Sequence, residues 1–192
     1  MKICFASHNK NKIAELRRLL GDGFELIGLD DLGITEEIPE TGTTLEENAF
    51  IKADYVVSRH QIACFADDTG LEVDELNGAP GVWSARYAGP EGNAQANMDK
   101  LLQALEHRTN RKARFRTVVA YFDGAQLTTF EGILNGEIAT EPSGDQGFGY
   151  DPIFIPEGAS SSLGEFRSEE KNKISHRGIA IGKFAEFMRN QN

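Results

Sequence analysis

The chain has 192 residues, 40% of them apolar, and its 30 acidic against 20 basic side chains leave a formal charge of −10 at pH 7. That length and composition predict one ordinary globular domain. The acidic balance argues against coating nucleic acid, which needs a broad basic surface, and no run approaches the ~18 apolar residues of a membrane span. Cys4 and Cys64 sit in apolar runs with no CxxC neighbour, and they read as buried thiols in a reducing cytoplasm.

In chain order, Lys2–Ala6 reads as a short buried strand. The polar segment Ser7–Lys12 follows, and then Ile13, Leu16, Leu19 and Leu20 recur at helical spacing until Gly21 and Gly23 end the helix. A second strand is predicted over 25–29, and a loop with Pro39 over 30–41. Thr44 and Glu47 have the spacing of a capping box, which opens a helix running to His60. Ile62–Ala66 is another short apolar strand and ends in Asp67-Asp68-Thr69-Gly70. Asn77-Gly78 marks a hairpin turn between Leu71–Leu76 and Val82–Ala85. Met98, Leu101, Leu102 and Leu105 define a helix face. From 113 to 122, Phe115, Thr117, Val119 and Tyr121 share one strand face, with Arg114 and Arg116 on the other. A hairpin partner follows over Gln126–Glu131, and Ile133–Ile138 extends that sheet. The last helix starts near Ser175 and buries Ala180, Phe184, Phe187 and Met188. The predicted fold class is α/β, a long mixed central β-sheet with flanking helices.

Two polar clusters directly follow buried strands, and in open α/β sheets ligands bind beyond strand carboxyl ends. Ser7-His8-Asn9-Lys10-Asn11-Lys12 opens a helix, where backbone N–H groups favour an anion. It lacks the glycines of a Walker A loop, and it also reads as a solvated helix cap. Asp67 and Asp68 are adjacent acids after a buried strand, costly to ionise without a cation or donors. Oxygen ligands suit Mg²⁺, and Glu40 in its Pro-Glu-Thr-Gly loop is within reach of the same ion. The alternative is a simple β-turn. Lys52 lies on the helix after Thr44, four residues past Asn48. Gly144–Asp151 presents Phe148, Gly149, Tyr150 and Asp151 on a glycine-rich loop, with Phe148 suited to stacking on a base and Asp151 to accepting a hydrogen bond. Lys171, Ser175, His176 and Arg177 gather donors at the start of the last helix.

Taken in order, SHNKNKIAE at Ser7–Glu15, ETGTTLEENAFIKA at Glu40–Ala53, FADDTGLEVDELNGAPGVWSARYAG at Phe65–Gly89, GFGYDPIF at Gly147–Phe154 and EEKNKISHRGIA at Glu169–Ala180 resemble the ITPase/HAM1 family of non-canonical purine nucleoside triphosphate pyrophosphatases. His8 stands where that family usually has glycine, so it either points away from phosphate or adds a contact. Thr69 stands where many bacterial members carry serine. The resemblance implies a single ITPase-like domain over 1–192, in two lobes with the active-site cleft between them. It also implies a homodimer, Mg²⁺, and hydrolysis of ITP, dITP, XTP or dXTP to the monophosphate and pyrophosphate.

On that basis Ser7–Lys12 and Lys52 are expected to hold the triphosphate, and Glu40 and Asp68 to carry Mg²⁺. Asp68 is expected to act as base with Asp67 in support, Thr69 to hydrogen-bond substrate, and Arg86 to add a phosphate contact. Donors on Lys171, His176 and Arg177 suit the 6-keto oxygen of hypoxanthine and xanthine and mismatch the amino group of adenine. The competing readings are a pyrophosphatase for modified pyrimidine nucleotides of the Maf type, a non-catalytic nucleotide sensor, and a nucleic-acid-binding module.

Overall fold

A computed structural model of the protein describes residues 1–8, 10–20 and 23–191, and all of their side chains except those of Asn11, Lys12, Glu15, Arg18, Leu19 and Asn172. The expected helix end at Gly21 lies outside the described residues. In chain order the elements are β1 (Lys2–Phe5), α1 (Lys10–Leu20), β2 (Glu25–Ile27), α2 (Leu45–His60), β3 (Cys64–Val73), β4 (Pro80–Gly81), α3 (Ala94–Ala104), β5 (Lys112–Phe122), β6 (Leu127–Ile138), β7 (Phe154–Pro156), α4 (Ser168–Ile174) and α5 (His176–Asn190). One mixed sheet orders its strands β2-β1-β3-β5-β6-β7, with β4 paired to β3. Among the described residues no helix is long and apolar enough to cross a membrane.

The chain divides into two compact units. The first comprises Met1–Asp68, Thr117–Glu131 and Ile179–Asn192, and the second Thr69–Arg116 and Gly132–Gly178. In the first, β1 pairs in parallel with β2 and with β3, Cys4 opposite Cys64 and Phe5 opposite Phe65. Strand alternation then sends apolar side chains to both faces. Ile3, Phe5 and Phe65 join Leu16 of α1 and Phe184 of α5 in one cluster. Cys4, Ala6, Cys64 and Ala66 join Ala53, Val56 and Val57 of α2 in another. The Phe65 ring lies 4.8 Å from Phe5 and 4.3 Å from Phe184, centroid to centroid. This packing is why the Ile3–Ala6 and Ile62–Ala66 stretches are apolar without interruption.

The second unit packs Leu71 and Val73 of β3, Met98 and Leu101 of α3, Phe115 of β5, Ile138 of β6 and Phe154 of β7 into one core. Lys112 and Arg114 are exposed, so the alternation expected along β5 holds over its first half. Beyond Thr117 every residue through Tyr121 is buried, because β5 there has core on both faces.

Three expectations are corrected. β3 does not stop at Ala66 but continues through Asp67-Asp68-Thr69-Gly70 to Val73. Turn-forming residues are held extended there, and Leu71 and Glu72 pair with Gly81 and Pro80. The hairpin's second strand is Pro80–Gly81 rather than Val82–Ala85, whose last residues start a 3₁₀ turn. The two predicted pieces over 126–138 are one strand, β6. β7 and α4 carried no signal: β7 is three residues long, and the α4 sequence SEEKNKI has no apolar period.

The capping box is present as read. Glu47 N donates to Thr44 Oγ1 at 3.1 Å, and Glu47 Oε2 accepts from Thr44 N at 3.3 Å and Thr43 N at 2.6 Å. Thr44→Ala removes one half of this cap, and the expected cost is about 1 kcal/mol. Urea unfolding should show a lowered midpoint at unchanged slope.

Candidate active site

Loop 40–44 is folded tightly onto α2. Gly42 N donates to Oδ1 of the buried Asn48 at 2.8 Å. A Cβ on Gly42 would lie 2.6 Å from Glu47 Cβ and 2.8 Å from Asn48 Oδ1, so only glycine permits this approach. Glu40 is thereby carried to Lys52, one helical turn beyond Asn48. Lys52 Nζ donates to Glu40 Oε1 at 2.7 Å and to the Asp67 carbonyl at 2.8 Å, and lies 3.7 Å from Asp68 Oδ1. Lys52 and Asp68 side chains are 13% and 14% exposed. A lysine this buried and this well paired is not a solvated helix lysine.

The continuation of β3 past Phe65 makes this convergence possible. β1 ends at Phe5, level with Phe65, so Asp67 and Asp68 extend beyond the end of their parallel neighbour. Ser7 and His8 follow β1 at the same end, and the Ser7 carbonyl accepts from Leu29 N at 3.4 Å. The parallel, adjacent arrangement that grouped the two clusters is therefore present. Lys10 is the first residue of α1 and is exposed. Asn9 and the side chains of Asn11 and Lys12 lie outside the described residues.

His8 faces the stretch between β2 and α2. Its Nδ1 lies 2.6 Å from Asp30 Oδ1 and its Nε2 lies 3.4 Å from the Glu36 carbonyl. Hydrogen bonding to Asp30 holds the imidazole above its ordinary pKa of 6.5. Glu36 in turn accepts from the Tyr55 hydroxyl of α2 at 2.6 Å. That bond lowers the Glu36 carboxyl pKa and raises the Tyr55 phenol. Asp30, Glu36 and Tyr55 were not among the sequence candidates. Tyr55 lies one turn past Lys52 on α2, and that spacing is the signal that was available.

In the second unit, Phe148 is 82% exposed, while the residues around it are tied down. Asp151 is 3% exposed; its Oδ2 accepts from Phe148 N at 2.7 Å and from Lys171 Nζ. Lys171 Nζ also lies 4.4 Å from the centre of the Phe148 ring, in cation–π contact. Gly147 adopts φ +79°, and a Cβ there would collide with the Asp151 carboxylate. Asp151 therefore departs from the expectation of an outward acceptor: its carboxylate is turned inward and fixes the loop. Tyr150 departs too. It is 5% exposed, its ring is in the core, and its hydroxyl donates to the Ser84 carbonyl at 2.9 Å. Burial raises the phenol pKa. Gly149 has φ +63° and open space where a side chain would go.

His176 is the first residue of α5, and its ring stacks on Phe115 at 4.9 Å and 16°. Gly178 N donates to Ser175 Oγ at 2.9 Å, so Ser175 caps this helix as one alternative held. His176 and Arg177 are half-buried. Thr69 is half-buried within β3. Arg86 places its guanidinium 5.7 Å from the exposed Trp83 ring. Asn97 holds that segment: it accepts from Ala88 N at 2.7 Å and donates to the Ala85 carbonyl at 3.0 Å.

The arrangement offers two kinds of chemistry. In the first unit, two carboxylates and a lysine converge, which suits an anion and a hard cation. In the second, an exposed aromatic ring adjoins a lysine, with His176 and Arg177 at the next helix start.

The chain is 53% identical over 188 residues to the dITP/XTP pyrophosphatase of Christiangramia forsetii, covering 98% of this chain and 99% of that one. It is 45% identical to the Bacillus subtilis protein of the same name over 187 residues, 95% of this chain and 94% of that one. The solved Ham1 protein of Staphylococcus aureus superposes with a TM-score of 0.95 at 37% identity, over the whole of both chains. The pattern describing the Ham1 family matches residues 3–187, a span that includes both clusters and all five motif stretches, and the chain belongs to the Ham1 family.

Proposed function

We propose that this protein hydrolyses deaminated purine nucleoside triphosphates, dITP and XTP together with ITP and dXTP, to the monophosphate and pyrophosphate. Such an activity cleanses the nucleotide pool. The observation that carries the reading is the Lys52 ammonium bracketed by Glu40, Asp68 and the Asp67 carbonyl. The names of relatives across nearly their full length support it.

In this reading the loop Ser7–Lys12 and Lys52 take the phosphates, as donors and positive charges aimed at oxygens where charge grows. Glu40 and Asp68 would hold Mg²⁺. The donor set fits: it is all oxygen, and both carboxylates converge on one position of positive charge. Among the described residues no group of three or more His, Cys, Asp or Glu forms a metal cage, which suits an ion that completes its shell with waters and substrate oxygens. Two carboxylates around one ammonium leave a net negative charge that repels a polyanion, and a divalent cation reverses that sign. When bound, Mg²⁺ supplies charge to the phosphate oxygens and acidifies water at the site. Asp68 orients the attacking water and accepts its proton, Asp67 supports that segment of β3, and Thr69 bonds the substrate. Arg86 adds a phosphate contact.

Phe148 stacks on the purine. Lys171, His176 and Arg177 donate toward the 6-keto oxygen, and Asp151 sets the position of Lys171 and of the Phe148 backbone. The protein acts as a homodimer in the cytoplasm; sedimentation of the purified protein at twice the chain mass checks the first.

Pyrophosphate release over a panel of common and deaminated triphosphates, with and without Mg²⁺, tests the whole reading. Activity confined to deaminated purines and dependent on the metal is expected, with dITP favoured over dATP by roughly 10⁴ in kcat/KM. Equal turnover of both would refute it. Asp68→Asn should lower kcat for dITP by about 10²–10⁴ with the circular dichroism spectrum unchanged, and near-normal turnover would remove Asp68 from the chemistry. Lys171→Ala should narrow the dITP to dATP preference by about tenfold or more, through loss of a charged donor.

A further inference from the structure

We propose that His8 is a positioning residue: as an imidazolium it latches the phosphate loop onto the segment that carries Glu40, through simultaneous bonds to the Asp30 carboxylate and the Glu36 carbonyl. This deepens the proposed function and rests on it for the identity of the substrate.

The argument is geometric. His8 Nδ1 faces a carboxylate oxygen at 2.6 Å, and Nε2 faces a backbone carbonyl at 3.4 Å. Both partners are acceptors. A neutral imidazole has one N–H and serves only one of them, whereas the protonated ring serves both. The two anchors belong to the stretch between β2 and α2: Asp30 opens a 3₁₀ turn over Asp30–Leu32, and Glu36 follows in the loop that leads to Glu40. Glu36 is itself fixed to α2 by Tyr55, one turn from Lys52. The latch thus joins Ser7–Lys12 at one end to the Glu40 loop and the Lys52 helix at the other.

The groups around the ring favour its charged form. Asp30 and Asp31 lie in the 3₁₀ turn, and Glu36 and Glu37 in the loop. From α2, Tyr55 and Arg59 face Glu36. On its own segment Lys10 is the opposing charge, two residues away and exposed. Asp31 is engaged by Gly28 N at 2.8 Å, which leaves Asp30 as the direct partner. Because the imidazole pKa is raised above 6.5, the latch is complete below pH 6.5 and is lost as pH rises through the raised value.

The test uses the full-length protein. Nuclear magnetic resonance titration of the His8 ring without nucleotide should give a pKa above 6.5, and Asp30→Asn should bring it down. Backbone amide shifts of Glu36, Glu40 and Tyr55 should follow the same titration in the wild type and stand still in His8→Gly. In steady-state hydrolysis of dITP with Mg²⁺, KM should rise about fivefold across that pKa, the size of one lost hydrogen bond, with little change in kcat. The rise should move to lower pH in Asp30→Asn and vanish in His8→Gly. A His8 pKa at or below the ordinary value, static amides, or the same KM profile in His8→Gly would overturn the latch. Absence of dITP hydrolysis altogether would sink the proposed function, while the titration and amide shifts still judge the latch.

Discussion

The first unit depends on one ammonium group. Lys52 Nζ reaches a carboxylate from the loop before α2, a backbone carbonyl of β3 and a second carboxylate one residue further along β3. Three chain segments meet at it. Half-buried acids placed this close would repel each other or take up protons unless a cation stood between them. A buried charge is tolerated when it is paired and hydrogen-bonded on several sides, and Lys52 meets both conditions. In the proposed function the same ammonium is the positive charge that meets a phosphate.

Precision comes from the supports around that group. Asn48 holds the Gly42 backbone, Glu47 holds Thr43 and Thr44, and Tyr55 holds Glu36. Along α2, residues 48, 52 and 55 succeed each other at helical spacing, so one helix face organises the whole loop from Glu36 to Thr44. The second unit follows the same logic with different chemistry. There Asp151 is buried, neutralised by Lys171 and bonded to the Phe148 amide, and a large aromatic ring is held out in solvent without being free to wander. An exposed phenylalanine costs burial energy that the fold forgoes.

Helices with a cap or an apolar period were easier to read than short strands. The capping box, the helix over Leu45–His60 and the apolar period of α3 are local signals, and local signals survive in a single sequence. Asp67-Asp68-Thr69-Gly70 has the composition of a turn yet lies inside a strand, because pairing of Leu71 and Glu72 with β4 and the packing of Leu71 and Val73 outweigh local preference. β7 escaped notice because three residues give no period, although its register with Gly136–Ile138 is well defined. Tyr150 looked like a ligand residue through its neighbours Phe148 and Gly149. Its burial follows from a hydroxyl bond to Ser84, 66 residues away in the chain.

The sequence by itself determined the family, the α/β class, and that polar clusters follow the apolar stretches Ile3–Ala6 and Ile62–Ala66, because these rest on motif order and on periodicities of two and 3.6. Only the tertiary structure decided which partners those residues take. It turned His8 toward Asp30 and Glu36, drew Asp151 inward onto Lys171, and set Lys52 between Glu40 and Asp68. Each of these is a contact between residues 12 to 28 positions apart. Such contacts are fixed by how strands and helices pack, and no local pattern in the chain encodes them.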